Sequence, residues 1–297
     1  DLLTTSITAT IAPVLICPAM NVKMWKNPIT KENVSKLKRL NYHFVEPEYG
    51  ELACGYKGVG RLAKLDKITE RVELLIAQRN DLKGKRILVT AGATFEEIDP
   101  VRVITNKSSG KMGNAIAEQA FLRGAEVILL RGHNSAEPHY NINEEKFTTV
   151  KDLFNKIKKY LKTADIIIHA AAVSDFEVNN KEDKKIKSRQ ELHLELAPTT
   201  KILENLKKLS KNMFLVGFKA EYNFSKDELI GSAYGILKSA EADLIVANDV
   251  GKEDTGFDVD TNEVFVVDRN KKIEHIKLSD KRVVADRLLD IIIKKIQ

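Results

Sequence analysis

Residues 85–297 predict a doubly wound α/β fold, with a mostly parallel sheet and an antiparallel hairpin at its edge, on three observations. Short apolar runs at 86–90, 126–130, 165–169, 214–218 and 243–247 read as strands buried on both faces. Helical stretches near 111–123, 150–163, 200–210 and 227–240 alternate with them, the pattern of a parallel sheet with helical connections. After Asn248 the pattern changes to Glu263-Val-Phe-Val-Val-Asp268, a turn at Arg269-Asn270 and an extended run over 272–278, which reads as the hairpin.

The first strand, Arg86-Ile-Leu-Val-Thr90, passes through Ala91-Gly92-Ala93-Thr94 and a charged insert before a helix begins at about Lys111. Ile116, Ala117, Ala120 and Phe121 share one face of that helix, and Gly124 lies just past its end. The last helix is expected over 279–296, with Ser279 as N-cap and apolar residues at 284, 288, 291 and 292. Upstream, 66–80 reads as a helix running into Asn80-Asp-Leu-Lys-Gly84. This gives a first domain at 1–78, a linker at 79–84 and a second domain at 85–297.

At 297 residues the chain can hold one large domain and a part-domain, each with a core. The longest apolar stretches, 7–17 and 288–293, are too short or too interrupted to cross a bilayer, so a cytoplasmic enzyme without a membrane partner is expected. Cys17 and Cys54 form neither a disulfide framework nor a metal-ligand spacing, and Cys17 reads as a small core residue in an apolar strand. The net charge of +6 comes from lysines spread among acids, which argues against a nucleic-acid partner. The chain opens on Asp1 without a signal segment and reads as truncated at its N-terminus.

Ligands of open α/β sheets gather at the carboxyl ends of the strands, where Ala91-Gly92, His169 to Asp175, Phe218 to Glu221 and Asn248-Asp249 all fall. A strand, a glycine turn and a helix N-terminus make an anion cradle there. The dinucleotide fingerprint Gly-x-Gly-x-x-Gly is missing between strand and helix, which speaks against a nicotinamide-dependent reductase. Ser109-Gly110-Lys111-Met112 is not a P-loop, because Met112 stands where Ser or Thr is required and Thr105 where the first glycine would be.

Asp99-Pro-Val-Arg102, Ile104-Thr-Asn106 and Ser108-Ser-Gly-Lys-Met-Gly113 closely resemble the phosphopantothenate-cysteine ligase family of coenzyme A biosynthesis. Further segments resemble that family in the same order: His169-Ala-Ala-Ala-Val-Ser-Asp175, Lys185-Ile-Lys187, Val216-Gly-Phe-Lys-Ala-Glu221 and Asp243-Leu-Ile-Val-Ala-Asn-Asp249. The resemblance covers roughly 83–297 and implies a Rossmann-like sheet. Before it, Leu2-Leu-Thr-Thr5, Ala12-Pro-Val, Pro18-Ala-Met-Asn-Val-Lys-Met-Trp25, Ala53-Cys-Gly55 and Gly58-Val-Gly-Arg-Leu62 resemble the C-terminal half of the flavin-dependent phosphopantothenoylcysteine decarboxylase. This second resemblance implies a partial, flavodoxin-like α/β domain.

By resemblance, the carboxylate of 4'-phosphopantothenate attacks the α-phosphate of CTP or ATP with Mg²⁺, and the amine of cysteine then attacks the acyl-nucleotide. Such a site needs donors and cations rather than a strong nucleophile. Asn106 is the expected donor to the acyl-nucleotide carbonyl, Arg102 a clamp for substrate, and Lys185 a loop lysine that reaches the triphosphate. His169, Ala170, Ala171, Asp175, Thr200, Lys201, Ile202, Leu203 and Phe218 form the implied nucleotide site. Ile236 and Ala240 stand where CTP-using bacterial ligases carry two lysines, so CTP is favoured while ATP stays open. In the first domain Asn21 resembles the ligand of the substrate carboxylate, Cys54 the proton donor, and Ala19 and Met20 the residues facing FMN. The metal-binding residues are left unassigned. Homo-oligomers are implied, with dimers through the ligase half and larger assemblies through the flavin half. The alternative reading from another class is a non-catalytic flavin- or nucleotide-binding module.

Overall fold

The computed structural model describes residues 1–52, 55–76, 79–187, 192–252 and 254–297, and the chain divides into two units, Asp1–Gln78 and Arg79–Gln297. In the smaller unit the first apolar stretch begins as a helix, α1 (Leu2–Ala9). The Asp1 carboxylate accepts from the Thr4 N–H at 2.9 Å, and the Thr4 hydroxyl oxygen accepts from the Asp1 amino group at 3.2 Å, so this end is held by a capping box. The strand expected around Cys17 is reduced to β1 (Leu15–Ile16), and Cys17 lies just beyond it, half-buried rather than in a core. Asn21 caps α2 (Val22–Lys26), and Asn27 with Pro28 opens α3 (Pro28–Arg39), a pairing of cap and proline that suits a helix start. Trp25 is buried with the Lys31 ammonium 3.7 Å from its ring. β2 (His43–Phe44) pairs with β1 in parallel, and β3 (Glu48–Glu51) pairs antiparallel with β4 (Lys57–Arg61). The unit's last helix, α4, runs Leu65–Ile76, short of the expected end at 80.

The larger unit runs β5 (Arg86–Ala91), β6 (Phe95–Glu97), β7 (Val103–Thr105), α5 (Lys111–Leu122), β8 (Glu126–Gly132), β9 (Asn143–Phe147), α6 (Val150–Tyr160) and β10 (Ile166–His169). It continues through β11 (Phe176–Val178), β12 (Leu196–Pro198), α7 (Ile202–Leu209), β13 (Phe214–Glu221), α8 (Lys226–Ser239), β14 (Leu244–Asp249), β15 (Thr261–Asp268), β16 (Ile273–Asp280) and α9 (Lys281–Ile296). Eight strands form one sheet in the order β16-β15-β14-β13-β10-β5-β8-β9. The pairs from β9 to β14 are parallel, and β15 and β16 add the antiparallel edge.

Strand alternation assigns the two faces. Ile87, Val89 and Ala91 pack with α5 and α9, whereas Leu88 and Leu130 pack with α6, α7 and α8. Each fully buried Ile or Leu in these layers contributes roughly 1.5–3 kcal/mol, so two continuous layers make the sheet the stable frame of the unit. Residues 80–84, expected as a linker, form a turn whose Leu82 is fully buried in the α5 and α9 layer. The buried Arg123 fastens this turn, donating to Asp81 at 2.7 Å and to Asp286 at 3.0 Å.

Ser279 is not the cap of the last helix. It pairs with Asn262 inside the β15–β16 ladder, and Asp280 takes the role, accepting from the Arg282 N–H at 2.8 Å. β9 was not expected, because its sequence Asn-Glu-Glu-Lys-Phe lacks the apolar run of a central strand and it lies at the sheet edge. The short hairpins β6–β7 and β11–β12 were likewise not expected.

From β5 the chain moves out to β8, then returns through α6 to β10 on the other side of β5. The carboxyl ends of β5 and β10 are therefore the topological switch point, where connections diverge and a crevice opens.

Candidate functional site

The crevice at the switch point has two adjoining halves that share Ala171, Ala172, Phe218, Ala220 and Phe257. The smaller half, of ≈ 120 Å³, lies over the start of α5 and is bounded by 108–113 and 255–257 with Asn248, Asn262 and Lys281. The larger half, of ≈ 490 Å³, lies over β10 and β13 and is bounded by His169, Asp175, Thr199 to Glu204, Phe218, Lys219 and Ile236.

Gly110 makes the smaller half possible. It is the N-cap of α5 at φ 80°, a left-handed conformation that costs glycine little, and it offers no side chain that would take up the helix's free N–H groups. Those N–H groups and the helix dipole favour an anion. The facing wall is tied down residue by residue. The Ser109 hydroxyl donates to the Phe257 carbonyl at 2.5 Å, the Lys111 ammonium to the Asp258 carbonyl at 2.7 Å, and the Lys281 ammonium to the Val259 carbonyl at 2.5 Å. Burial pushes the pKa of Lys281 down, and the neighbouring Lys111 pushes it further the same way.

The larger half has an apolar floor and a charged rim. His169 is buried at the end of β10, with Nδ1 2.9 Å from the Thr90 hydroxyl oxygen, and burial pushes its pKa down to about 4. Phe218, Leu203 and Ile236 are half-buried walls. At the rim Lys201 and Asp175 pair at 2.6 Å, both exposed. Lys219 pairs with Glu221 at 3.1 Å.

The expected nucleotide residues His169, Ala171, Asp175, Thr200, Lys201, Ile202, Leu203 and Phe218 all line this half, and Ala170 lines the other. Asn106 follows β7, is exposed and lines the larger half, and its side-chain amide makes no hydrogen bond among the described residues. Arg102 stands apart from both linings, where it pairs with the buried Asp99 at 3.1 Å and donates to the Ile186 carbonyl at 3.3 Å. Burial alone would raise the Asp99 carboxyl, but N–H donors from Val101, Ile186 and Arg102 and the Arg102 charge hold it below its usual value. Lys185, next to that anchor, is exposed and lines neither half. Ala240 is buried at the end of α8, and Lys238 lies 4.7 Å from the Tyr234 ring, so of the three only Ile236 reaches the crevice.

In the smaller unit the Asn21 side chain accepts from the Lys23 N–H at 2.8 Å. Ala19 is exposed, and the half-buried Met20 donates its N–H to the Gly60 carbonyl at 2.9 Å. A Cβ on Gly60 would come within 2.1 Å of the Met20 carbonyl oxygen, so turn and hairpin run backbone against backbone. With Ala19 exposed and no side chain on Gly60, this turn has the flat, small surface that one wall of a flavin site needs. Cys54 lies outside the described residues.

Phe257 and Lys281 line the crevice without having been singled out from the sequence. Only the glycine before Phe257 hinted at a loop, and Lys281 reads as an ordinary residue of a helix's first turn. Among the described residues no group of three or more His, Cys, Asp or Glu could hold a metal, and no helix is long and apolar enough to cross a membrane.

A switch-point crevice with an anion cradle in one half and an apolar, cation-rimmed chamber in the other defines a doubly wound α/β protein with a two-part ligand crevice at the carboxyl edge of its sheet. Residues 82–296 match the family described as DNA/pantothenate metabolism flavoprotein C-terminal domain, and residues 1–77 match the flavoprotein family. The coenzyme A biosynthesis bifunctional protein CoaBC of Thermococcus kodakarensis is 45% identical over 97% of this chain and 69% of its own length. That of Bacillus subtilis is 40% identical over 97% of this chain and 71% of its own. The crystal structure of the C-terminal domain of a CoaBC protein superposes with a TM-score of 0.61 at 33% identity, covering 73% of this chain and 98% of that one. The chain belongs to this family of bifunctional coenzyme A biosynthesis proteins.

Proposed function

We propose that the larger unit joins 4'-phosphopantothenate to cysteine through an acyl-nucleotide, and that the smaller unit belongs to the flavin-dependent decarboxylase acting on the product. The observation that carries the ligase reading is the two-part crevice, an anion cradle adjoining a nucleotide chamber that Asn106 lines. Family membership supports both activities. The reductase alternative is disfavoured by the insert that separates β5 from α5.

The substrate's phosphate sits on the start of α5, and its carboxylate extends toward Asn106. That carboxylate attacks the α-phosphorus of the triphosphate, a P–O bond forms and pyrophosphate leaves. The amine of cysteine then attacks the carbonyl carbon, loses a proton and expels the nucleoside monophosphate as an amide forms. Negative charge grows on oxygen in both steps, and in the second the Asn106 amide supplies the acyl-nucleotide carbonyl with a neutral donor that needs no change of charge state. Mg²⁺ travels with the triphosphate, held mainly by phosphate oxygens as small, reluctantly dehydrated ions are. Lys185 and the rim cations meet the phosphates, and Arg102 keeps its expected role toward substrate as part of this proposal. CTP is the favoured nucleotide.

FMN, when bound, supplies oxidation of the substrate thiol in the decarboxylase. Ala19 and Met20 would face the flavin, Asn21 would hold the substrate carboxylate and Cys54 would deliver the proton. Two copies of the chain associate in the cytoplasm through the ligase half, where Val101, Val103, Phe176, Leu194 and Leu196 expose apolar side chains on or beside the short hairpins.

The test is pyrophosphate release by the purified chain with 4'-phosphopantothenate and Mg²⁺, comparing CTP with ATP and adding cysteine afterwards. Release with CTP, followed by cysteine-dependent CMP, is expected. Silence with both nucleotides in a folded sample would overturn the ligase reading.

A further inference from the structure

Glu96 lies in β6, lines neither half of the crevice and is only 5% exposed. A carboxylate so enclosed needs partners, and its position supplies two. Its Oε1 accepts from the Val150 N–H at 2.9 Å. That N–H is one of the free donors at the start of α6, and the Thr149 hydroxyl that caps this helix is spent on the Asp152 N–H at 3.1 Å. The helix start therefore meets a negative charge from another strand, which its dipole favours. The second partner is the hydroxyl of Thr94. Thr94 is fully buried, and its oxygen already accepts from the Ser174 N–H at 2.9 Å, so its proton goes to Glu96.

These bonds set the β6–β7 hairpin against the frame of the sheet. Phe95 donates its N–H to the Thr148 carbonyl at 2.8 Å, beside the Glu96–Val150 bond. Across the hairpin Phe95 pairs with Thr105, whose hydroxyl donates to the Thr94 carbonyl at 2.9 Å. Asn106 is the next residue, so it continues directly from a strand pair that Glu96 moors to α6. Burial raises the Glu96 pKa, and the carboxylates of Glu177, on β11, and of Glu97 raise it further, while the Val150 N–H and the Thr94 hydroxyl pull it down. Glu97 is itself paired with Lys181 at 2.5 Å, and Asp152, the acid on the α6 side, with Lys156 at 2.7 Å. Protonation of Glu96 turns one accepting oxygen into a donor. Thr94 would then accept twice, and its own proton would lose its acceptor.

We propose that Glu96 is a positioning residue of the ligase: its ionised carboxylate, bound by the Val150 N–H and the Thr94 hydroxyl, moors the hairpin that presents Asn106 to the start of α6 and so sets the Asn106 amide against the reacting carbonyl. The proposal rests on Asn106 acting as donor to the acyl-nucleotide. Glu96 touches no ligand, and its effect falls on the rate of the chemistry rather than on binding.

The experiment is the steady-state formation of nucleoside monophosphate by the purified chain with 4'-phosphopantothenate, CTP, Mg²⁺ and cysteine, from about pH 5 to about pH 8, on wild type, Glu96→Gln and Thr94→Val. The E96Q side chain keeps one accepting oxygen and turns a donor toward Thr94, as the protonated acid does. One hydrogen bond lost corresponds to about a tenfold change, so kcat of E96Q at neutral pH should fall about tenfold while KM for CTP and for 4'-phosphopantothenate stays within about twofold. The ratio of wild-type to E96Q kcat should shrink toward one as the pH falls, and the ratio cancels the protonation of cysteine, which both share. T94V removes the hydroxyl through which Glu96 acts and should lower kcat about as much, and adding E96Q to it should cost less than about twofold more. An unchanged kcat in E96Q, a ratio that holds at every pH, or a loss confined to KM would overturn the assignment. Should E96Q fail to fold, a wild-type kcat in T94V would overturn it alone. Silence of wild type with both CTP and ATP would instead remove the ligase reading, and this assignment with it.

Discussion

The two halves of the crevice are built differently. The half over α5 is made of backbone and of side chains already committed to the protein, since Ser109, Lys111 and Lys281 all donate to consecutive parts of the 257–259 wall. The half over β10 keeps its polar groups at an exposed rim, where Lys201 and Asp175 pair in solvent and the Asn106 amide is unspent. A preorganised half can hold the phosphate end of a substrate with little ordering cost at binding. The open half can accept a nucleotide, pass through two chemical steps and release a monophosphate. On the proposed reaction the chemistry takes place in the open half, where Asn106 lines it.

This contrast can be broken most severely in the open half. Asn106→Ala should lower kcat by about 10²–10³-fold, the usual cost of removing one donor from a developing oxyanion, with both KM values little changed. A rise in KM alone would make Asn106 a binding residue.

Acid should separate the halves next. His169 stays neutral down to about pH 4 in the folded chain, whereas an unfolded histidine takes a proton near 6.5. The unfolded state therefore binds more protons between these values, and stability falls as pH falls through that window, by up to ~3 kcal/mol. Denaturant midpoints at pH 7 and pH 4.5 should diverge less in His169→Leu than in wild type, and equal divergence would show that His169 is not the acid-sensitive group.

Lys281→Met tests the committed half. It leaves the carbonyls of the 256–259 wall without their cation, and KM for 4'-phosphopantothenate should rise about tenfold while KM for CTP holds. A matching rise in both would mean that the wall serves the whole crevice. The smallest effect is expected for Asp175→Asn at the rim. An exposed pair is worth under about 1 kcal/mol, so melting should barely change and KM for CTP should shift by only a few-fold, less at high salt.

The parallel strands and their helices were legible because buried strands are continuous apolar runs, as Ile166 to Ile168 and Leu244 to Ala247 are. β9 was hidden because an edge strand can be as charged as Asn-Glu-Glu-Lys. Ser279 suited a cap locally, but the ladder with Asn262 extends that far and hands the cap to Asp280. Tertiary pairing outweighed the local preference. The strand-end residues of the site could be read from the fold rule that places ligands at the carboxyl edge, which located His169 and Phe218. Phe257 and Lys281 could not, because they reach the crevice from a loop and a helix start far along the chain, joined to α5 only by hydrogen bonds to carbonyls. Arg102 was legible as a charge with Asp99 three residues before it, and Asp99 takes up its guanidinium.

The central claim is that the open half, lined by Asn106, makes and resolves an acyl-nucleotide. A single-turnover measurement on Asn106→Asp, with CTP, Mg²⁺ and 4'-phosphopantothenate, tests it most directly by following pyrophosphate before cysteine is added and CMP afterwards. Pyrophosphate should be released up to about one per site and cysteine should then produce no CMP, whereas wild type releases both. CMP release by the variant at the wild-type rate would contradict the account, because the acyl-nucleotide would then be resolved without Asn106.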